Sequence, residues 1–348
     1  MNTEACSESF VSVAVVGATG YTGVELVRLL SAHPKVCLRF ASSTSRAGSR
    51  LDALYPNAPP LELVDEEALR DAAVDVVFLC VPHAAAAERA ATFLERGVRV
   101  IDLSADFRLS SASTYARWYA RAHPCPQYLD MAVYGLTEWR REALLGARLV
   151  ANPGCYPTSV LMALAPLVGV LPLDGVIIDA KSGVSGAGRT PRPGLHFVNA
   201  LENLSPYKIG ESHRHLAEMQ EQLQQLGEER EPRLTFSPHL VPLRRGMLST
   251  IYVPRPVGLS LETVRGALED AYSTEQFVRL LPEGELATVG HVHGTNSCVI
   301  SLSQSSTQFI LVSAIDNLLK GAAGQAVQNL NAVHGWPENL ALSAFGPL

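Results

Sequence analysis

One cysteine in this sequence stands where it could act as a nucleophile. Cys155 lies in NPGCYPTSV, residues 152–160, where Pro157 suits the first turn of a helix and the apolar residues that follow supply its body. A thiol at that edge should have a lowered pKa, because the free N–H groups and the positive end of the helix dipole stabilise the thiolate. The same N–H groups could hold an oxyanion. We therefore predict a nucleophilic role for Cys155. The alternative for Cys155 is a buried structural cysteine. We interpret the other cysteines in that way, namely Cys6, Cys37, Cys80, Cys125 and Cys298.

Two histidines could supply the proton transfers that an acylated thiolate needs. His213 and His215 lie in ESHRHLAEM at the start of another helical segment, and Glu218 follows His215 by one turn. A carboxylate at that spacing could orient the imidazole. We assign the acid/base role to His215 and keep His213 as the reserve candidate. The competing interpretation is an ordinary surface or core histidine.

A glycine turn near the N-terminus predicts a nucleotide-binding element. The apolar run VSVAVV, residues 11–16, leads into GATGYTG and then into a segment with helical spacing. Glycines here would let the backbone approach a pyrophosphate on the helix N-terminus. Thr19 holds the second glycine position of the usual G-x-G-x-x-G pattern, so a plain tight turn is the alternative. The predicted contacts are Gly17, Thr19, Gly20, Tyr21, Thr22 and Gly23.

The loop after the second apolar run favours NADP(H) over NAD(H). VCLRFA, residues 36–41, is followed by SSTSRAG, where an NAD-selective domain usually presents an acidic residue. Ser43, Ser45 and Arg46 instead offer hydroxyls and a guanidinium, which suit a 2′-phosphate. The alternative is a solvated loop with no ligand.

The spacing of apolar residues divides the chain into two predicted folds. Near-continuous apolar runs at residues 74–82 and 98–104, with a helical stretch at 84–95 between them, are typical of a parallel sheet covered on both faces. From Gly175 the strands alternate more clearly and have fewer helices between them. We therefore predict an α/β protein: a Rossmann-type doubly wound domain over 1–152, completed by a C-terminal helix in 316–348, and an α+β catalytic domain with a mixed or antiparallel sheet over 153–315. The long insertion at 182–215 is of the kind that is often functional.

Composition limits the partners that this protein can be expected to bind. The 348 residues suit two domains, and 47% hydrophobic with 18% charged residues excludes a disordered chain. A net charge of -6 with no basic run predicts a small-molecule partner rather than nucleic acid or a membrane. The sequence MNTEACSESF lacks the basic start of a targeting peptide, and the six cysteines form no C-x-x-C pair, so we expect no metal site and a reducing cytoplasm.

Six motifs together resemble one known family. GATGYTG, DLSADFRL, NPGCYPT, SGVSGAGR, HRHLAEM and DNLLKGAAGQAVQN are similar to the N-acetyl-gamma-glutamyl-phosphate reductases, NADPH-dependent enzymes of arginine biosynthesis, and the resemblance runs through nearly the whole chain. GATGYTG is shared with the wider aspartate-semialdehyde dehydrogenase group. Relatives often have proline after HRHL, where this chain has Ala217.

The resemblance also implies roles for individual residues. Cys155 would be the nucleophile and His215 the acid/base, with Arg108 binding a substrate anion and His213 also assigned to the substrate. Residues 182–189, through Ser182, Gly183 and Gly186, would line the nicotinamide side. Asn317 would reach the cofactor from the C-terminal helix. The second domain would also mediate dimerisation, in a homodimer or homotetramer.

The reaction implied is the reductive dephosphorylation of an acyl phosphate through a cysteine thioester, which gives N-acetyl-L-glutamate 5-semialdehyde. Close alternatives are the related reductase of lysine biosynthesis that acts on an aminoadipyl phosphate, and aspartate-semialdehyde dehydrogenase. A nucleotide-binding regulator without catalysis is the alternative from another class. The pairing of Cys155 with His215 argues against that regulator.

Overall fold

The computed structural model describes residues 10–227 and 230–346, and the chain forms two compact units. The first unit takes Met1–Pro153 and Ala322–Leu342, and the second takes Gly154–Gly321 and Ser343–Leu348. None of the helices within the described ranges has the length and apolar character needed to cross a lipid bilayer.

A seven-stranded sheet forms the centre of the first unit. All of its strand pairs are parallel, as predicted, and the strand order is β3-β2-β1-β4-β5-β7-β6. The order reverses between β1 and β4, and open α/β sheets bind ligands outside the carboxyl ends of the strands at such a point. The strands are β1 Val11–Val16, β2 Val36–Ser42, β3 Leu63–Val64, β4 Val76–Leu79, β5 Arg99–Asp102, β6 Ala132–Tyr134 and β7 Leu149–Ala151.

Helices cover this sheet because its strands are apolar on both faces. Residues 76–79 of β4 are buried without exception, so neither face of that strand meets water. The helices of this part of the chain are α1 Tyr21–Ser31, α2 Leu51–Leu54, α3 Glu67–Arg70, α4 Ala87–Glu95, α5 Ala112–Tyr119 and α6 Thr137–Leu144, with a 3₁₀ turn at Pro126–Met131.

The second unit is built on a mixed sheet of seven strands, which confirms the predicted α+β class. The order is β12-β13-β14-β11-β8-β10-β9, in which β8 with β10 and β12 with β13 are parallel and the other pairs are antiparallel. The strands are β8 Ile177–Gly183, β9 Ser205–Pro206, β10 Thr235–Val241, β11 Met247–Pro254, β12 Val278–Leu280, β13 Cys298–Gln304 and β14 Gln308–Ile315. The helices are α7 Cys155–Leu164, α8 Phe197–Ala200, α9 His215–Leu226 and α10 Leu261–Tyr272, with 3₁₀ turns at Ala165–Leu167, Val184–Ala187, Pro193–Leu195 and Val289–His291.

Helix α7 is the buried centre of the second unit. Its residues from Tyr156 to Leu164 are all buried, as its almost wholly apolar sequence requires. Ser159, one of its few polar residues, donates through its Oγ to Ser249 Oγ on β11 at 2.9 Å. Near the other end of the helix, the Tyr272 hydroxyl donates to Met162 O at 2.7 Å. These two bonds fix α7 against the sheet and against α10.

The C-terminal helix begins later than the sequence predicted. Residues 316–318 form a turn, Leu319–Ala323 form a short π-helix, and the α-helix α11 runs only over Gly324–Val333. The division between the two units falls after Gly321. The predicted α-helix start at Asp316 was wrong: the Asp316 carboxylate accepts from the N–H groups of Leu318 and Leu319, as an N-cap residue does, and the first helical turn after it is a π turn.

Candidate active site

Cys155 is the first residue of α7, which confirms the predicted helix start. Gly154 is the N-cap residue, and the first helical hydrogen bond runs from Thr158 N to Gly154 O at 2.9 Å. The Cys155 thiol is not part of a disulfide, and it is half-buried. The first N–H groups of a helix have no partner within the helix, so they can stabilise negative charge on or near this sulfur.

The other cysteines have a different environment. Burial raises the pKa of the Cys80 and Cys125 thiols, which keeps them protonated near neutral pH. Cys298 is buried, and its Sγ lies 3.4 Å from Ser313 Oγ. Cys37 is half-buried, and Cys6 lies outside the described residues.

Asn152, three residues before Cys155, is bound through all four of its polar groups. Its backbone N–H donates to Asp102 O at 2.8 Å, and its backbone oxygen accepts from Arg108 Nε at 2.8 Å. Its side chain donates to Ala322 O at 3.2 Å and accepts from Asn329 Nδ2 at 3.0 Å. Asn152 is only 1% exposed. The first unit therefore fixes the end of β7 just before the chain turns to the cysteine.

Arg108, predicted to bind a substrate anion, donates hydrogen bonds to two backbone oxygens. It is buried, and it donates from Nε to Asn152 O at 2.8 Å and from Nη2 to Leu103 O at 2.9 Å. One of these bonds therefore fixes the backbone just after β7, at Asn152. Its contact with substrate remains a prediction.

The structure brings both predicted histidines to the side chain next to Cys155. The rings of His213 and His215 lie 4.8 Å apart between centroids, and the Tyr156 ring lies 5.8 Å from His213 and 5.9 Å from His215. His215 opens α9, and its backbone N–H donates to His213 Nδ1 at 3.2 Å. That bond leaves the proton of a neutral His213 on Nε2.

The surroundings of His213 keep it uncharged at neutral pH. Burial lowers its pKa, and together with the nearby cations Lys208 and Arg214 it brings that pKa to about 4. A histidine with that pKa carries almost no proton to donate at pH 7. This favours His215 over His213 as the acid/base.

Glu218 does more than the sequence suggested. Its side chain is 2% exposed, and Oε1 accepts a hydrogen bond from the backbone N–H of Gly154 at 2.8 Å. The sequence predicted that this carboxylate would orient His215 from one turn away. The structure shows that it ties α9 to the N-cap of the helix that carries Cys155.

Two tyrosines that the sequence analysis did not select line the same region. The Tyr207 hydroxyl donates to the Tyr156 hydroxyl at 3.1 Å, and the Tyr156 hydroxyl donates to His239 O at 3.4 Å. Burial raises the pKa of Tyr207 to about 12 and raises that of Tyr156 as well, so both stay protonated. The available signals were the place of Tyr156 directly after the cysteine and the length of the insertion that contains Tyr207.

The loop after β8, predicted to line the nicotinamide side, is closely packed. A Cβ at Gly183 would lie 2.8 Å from Leu243 O, and one at Gly186 would lie 2.7 Å from Ser182 Oγ. Asn317 accepts from Gly246 N at 2.6 Å and donates to Ser185 Oγ at 3.0 Å. Asn317 therefore lies in the turn before the π-helix, not on the C-terminal helix as predicted, and it ties two loops of the second unit together.

The glycine turn after β1 has a shape that fits a phosphate-bearing ligand. Gly17 has φ +82°, and a Cβ there would lie 2.3 Å from Cys80 O. A Cβ at Gly23 would lie 2.3 Å from Gly17 O. The packing of the protein thus requires both glycines. At Gly20, the N-cap of α1, a Cβ would meet nothing nearer than 3.7 Å, so this backbone is open to a ligand at a helix N-terminus.

The predicted 2′-phosphate loop divides into a buried and an exposed part. Ser43 is buried, and its Oγ lies 2.9 Å from Thr19 Oγ1, which joins the loop to the glycine turn. Ser45 and Arg46 are exposed, as is Tyr21, while Thr22 is half-buried. The other arginine of the loop is paired, because Arg50 binds both carboxylate oxygens of Asp52, at 2.9 and 2.7 Å.

Comparisons with known proteins agree with the division of the chain into two units. Residues 12–147 match the family model of the semialdehyde dehydrogenase NAD binding domain, and residues 155–317 match that of the semialdehyde dehydrogenase dimerisation domain. Among solved structures, aspartate semialdehyde dehydrogenase II of Vibrio cholerae, complexed with ASA, has a TM-score of 0.72 over 94% of this chain and 98% of its own. The enzyme of Candida albicans with NADP has a TM-score of 0.67 over 94% and 99%. At 19% and 17% identity, both show the shared fold.

Two sequence relatives are much closer. A protein of Desulforapulum autotrophicum is 48% identical over 96% of this chain and 99% of its own length. One of Symbiobacterium thermophilum is 45% identical over 97% and 99%. Both are named N-acetyl-gamma-glutamyl-phosphate reductase.

Proposed function

The chain belongs to the N-acetyl-gamma-glutamyl-phosphate reductase family, and on that premise we propose that it reduces N-acetyl-L-glutamyl 5-phosphate to N-acetyl-L-glutamate 5-semialdehyde with release of phosphate. It is an NADP-dependent oxidoreductase of arginine biosynthesis. The observation that carries the mechanism is the position of Cys155 at the start of α7, where its neighbour Tyr156 packs against His215.

The first step is attack by the Cys155 thiolate on the acyl carbonyl carbon. The S–C bond forms, the C–O bond to phosphate breaks, and a thioester remains on the protein. The departing phosphate takes a proton, which protonated His215 can supply and regain from solvent. Backbone N–H groups at the first turn of α7 are suited to stabilise the oxyanion of the tetrahedral intermediate. The thioester also keeps the acyl carbon from hydrolysing before reduction.

The second step reduces the thioester. When bound, NADPH would supply the hydride for this reduction. His215 donates a proton to the oxygen as the hydride arrives, and it accepts that proton back as the C–S bond breaks. The aldehyde leaves, and Cys155 returns to the thiolate. One base therefore serves both directions of proton transfer.

The groups that would hold NADP(H) are assigned by their shape and charge. The open backbone at Gly20 suits the pyrophosphate, and exposed Arg46 with Ser45 suits the 2′-phosphate. Ser43 positions Thr19 beside this site. We propose four residues for the nicotinamide side: Ser182, Gly183, Gly186 and Asn317. Asn317 fixes the loop there through its hydrogen bonds with Gly246 and Ser185.

The substrate side is proposed to include Arg108 and His213. The neutral His213, packed between Tyr156 and Tyr207, can donate a hydrogen bond without adding charge to the pocket. Arg108 would contribute a positive charge near the cysteine motif.

We also propose a homodimer or homotetramer, which the match of residues 155–317 to a dimerisation domain supports. The proposed location is the cytoplasm.

The reaction run backwards tests the substrate. The protein is incubated with inorganic phosphate, NADP⁺ and one of three aldehydes, and NADPH formation is followed by absorbance. N-acetylglutamate semialdehyde should give the largest kcat/KM. Preference for aspartate semialdehyde or an aminoadipate semialdehyde would move the protein to one of the related activities. No reaction with any of them, together with no preferential alkylation of Cys155 near neutral pH, would support the non-catalytic regulator.

A further inference from the structure

Gly321 lies in direct contact with the candidate nucleophile. A Cβ built on Gly321 would lie 2.9 Å from Cys155 Cβ, 3.2 Å from Ile315 Cδ1 and 3.3 Å from Cys155 Cα. A separation of 2.9 Å between two carbon atoms is well inside their preferred contact distance of about 3.5–4.0 Å. The glycine is not required by backbone conformation, since no positive φ is found there. Its small size is therefore required by Cys155.

The π-helix is what brings this glycine to the cysteine. Gly321 N donates to Asp316 O at 3.0 Å, a bond across five residues that is typical of the wider π turn. Asp316 itself is fully buried and is fixed by an ion pair with Arg245, whose Nε lies 2.8 Å from Oδ2, and by Gly294 N, which donates to Oδ2 at 2.9 Å. The backbone opposite Cys155 is thus held in place by buried charged contacts. Single π turns of this kind occur frequently at functional sites.

The other side of the contact is equally fixed. Helix α7 is buried along its length, and the bonds of Ser159 to Ser249 and of Tyr272 to Met162 hold it on the sheet and on α10. At its N-terminus, Gly154 is held by Glu218. Because the positions of Cys155 Cβ and Cα are set by the backbone, a methyl group at position 321 would have to shift the backbone at the start of α7 or at residue 321 itself. A shift of α7 would carry the Cys155 sulfur with it.

We propose that Gly321 is a positioning residue for the reaction. Because it has no Cβ, Cys155 can pack directly against the Gly321 Cα, and the π-helix holds that Cα in place. The inference deepens the proposed function and rests on the role of Cys155 within it. A displaced sulfur would lose its alignment with the acyl carbon and with the N–H groups at the start of α7. Misplacement of a reacting group by about 1 Å can cost about 100-fold in rate.

The test compares Gly321→Ala with the wild-type protein by two measurements. The first is turnover, which should fall by roughly 10- to 100-fold in kcat, while the dissociation constant for NADPH stays unchanged. The second is the rate at which iodoacetamide alkylates Cys155, read by peptide mass spectrometry across pH. The midpoint of that pH profile should rise in the variant, because the thiolate is moved from the helix N-terminus. The alkylation result does not depend on which substrate the enzyme uses, so it separates failure of this proposal from failure of the proposed function.

Two further variants keep the result interpretable. Gly266→Ala, in α10, is the matched control, because a Cβ there meets nothing within 4 Å and should leave both measurements unchanged. The double variant Gly321→Ala with Ile315→Val removes the Ile315 Cδ1 contact and leaves the Cys155 contact in place. It should stay slow if Cys155 is the group displaced. Full recovery in the double variant, or an unchanged midpoint and kcat in Gly321→Ala, would overturn the proposal. A melting curve confirms that each variant is folded.

Discussion

The carboxylate of Glu218 accepts a 2.8 Å hydrogen bond from the backbone N–H of Gly154. Glu218 lies in the first turn of the helix that begins with His215, and Gly154 is the residue before Cys155. The candidate base and the candidate nucleophile each open a helix, and this bond ties one helix start to the other. The distance between the two chemical groups therefore depends on a third residue, Glu218.

Glu218→Ala should lower the free energy of unfolding by about 1–3 kcal/mol, because it leaves the buried Gly154 N–H without this acceptor. Glu218→Gln keeps an amide oxygen that can accept the same bond, and its loss should be smaller. Urea denaturation at neutral pH measures both. Equal losses in the two variants would show that charge, rather than the bond to Gly154, is what matters at this position.

Cys155→Ser should abolish turnover and leave the fold and NADPH binding intact. A hydroxyl has no comparable population of anion near neutral pH, so the nucleophile is lost while the size of the side chain is nearly kept. In the wild-type protein, acyl phosphate supplied without NADPH should leave an acyl adduct on Cys155. Peptide mass spectrometry locates it. An adduct on Cys80 or another thiol would reject the assignment.

His215→Asn should lower kcat by about 10²–10⁴-fold with substrate affinity nearly kept, because asparagine can hydrogen-bond but cannot exchange a proton. His213→Asn is the matched variant, and it should cost much less, since its low pKa leaves it neutral and without a proton-transfer role. Steady-state kinetics on both variants provides the comparison. If His213→Asn is the more damaging, the acid/base role passes to His213.

The same His213→Asn variant should also change how stability depends on pH. The pKa of His213 is lowered from 6.5 to about 4 in the folded protein, so between these values the unfolded chain binds more protons than the folded one. Stability from this group is present above about pH 6.5 and is lost as the pH falls toward 4. His33, His123 and His334 also have lowered pKa values and remain in both proteins. Urea denaturation near pH 7 and near pH 5 should therefore show a smaller loss in the variant. A loss equal to that of the wild type would contradict the assigned pKa.

Arg46→Ala should weaken NADPH binding by about 1.5–3 kcal/mol, the range for a hydrogen bond to a charged group, and leave NADH binding little changed. Arg50→Ala is the control, because Arg50 is already engaged with Asp52 in the same loop. Fluorescence titration with both cofactors distinguishes the two variants. Equal losses of NADPH and NADH affinity in Arg46→Ala would mean that the 2′-phosphate is bound elsewhere.

Several local features of the candidate site could be predicted from the sequence. It placed the β1, glycine turn and α1 succession, the start of a helix at Cys155, and the change from a parallel to a mixed sheet. These features depend on residues that are near one another in the chain. The spacing of apolar side chains, the missing N–H of Pro157 and the conformational freedom of Gly17 all act within a few residues, so they can be read from the sequence.

The contacts between residues that are distant in the sequence could be known only from the folded chain. Glu218 bonds to Gly154, 64 residues away, although its sequence spacing pointed to His215. Asn317 was predicted on a helix, but it lies in a turn in which the buried Asp316 carboxylate bonds to the N–H groups of Leu318 and Leu319 and to Arg245. A π-helix takes the place of the first α-helical turn after it. That change places Gly321 against Cys155. Such partners are chosen by dense packing and by the need to satisfy each buried polar group, and both conditions are set only when the whole chain has closed around them.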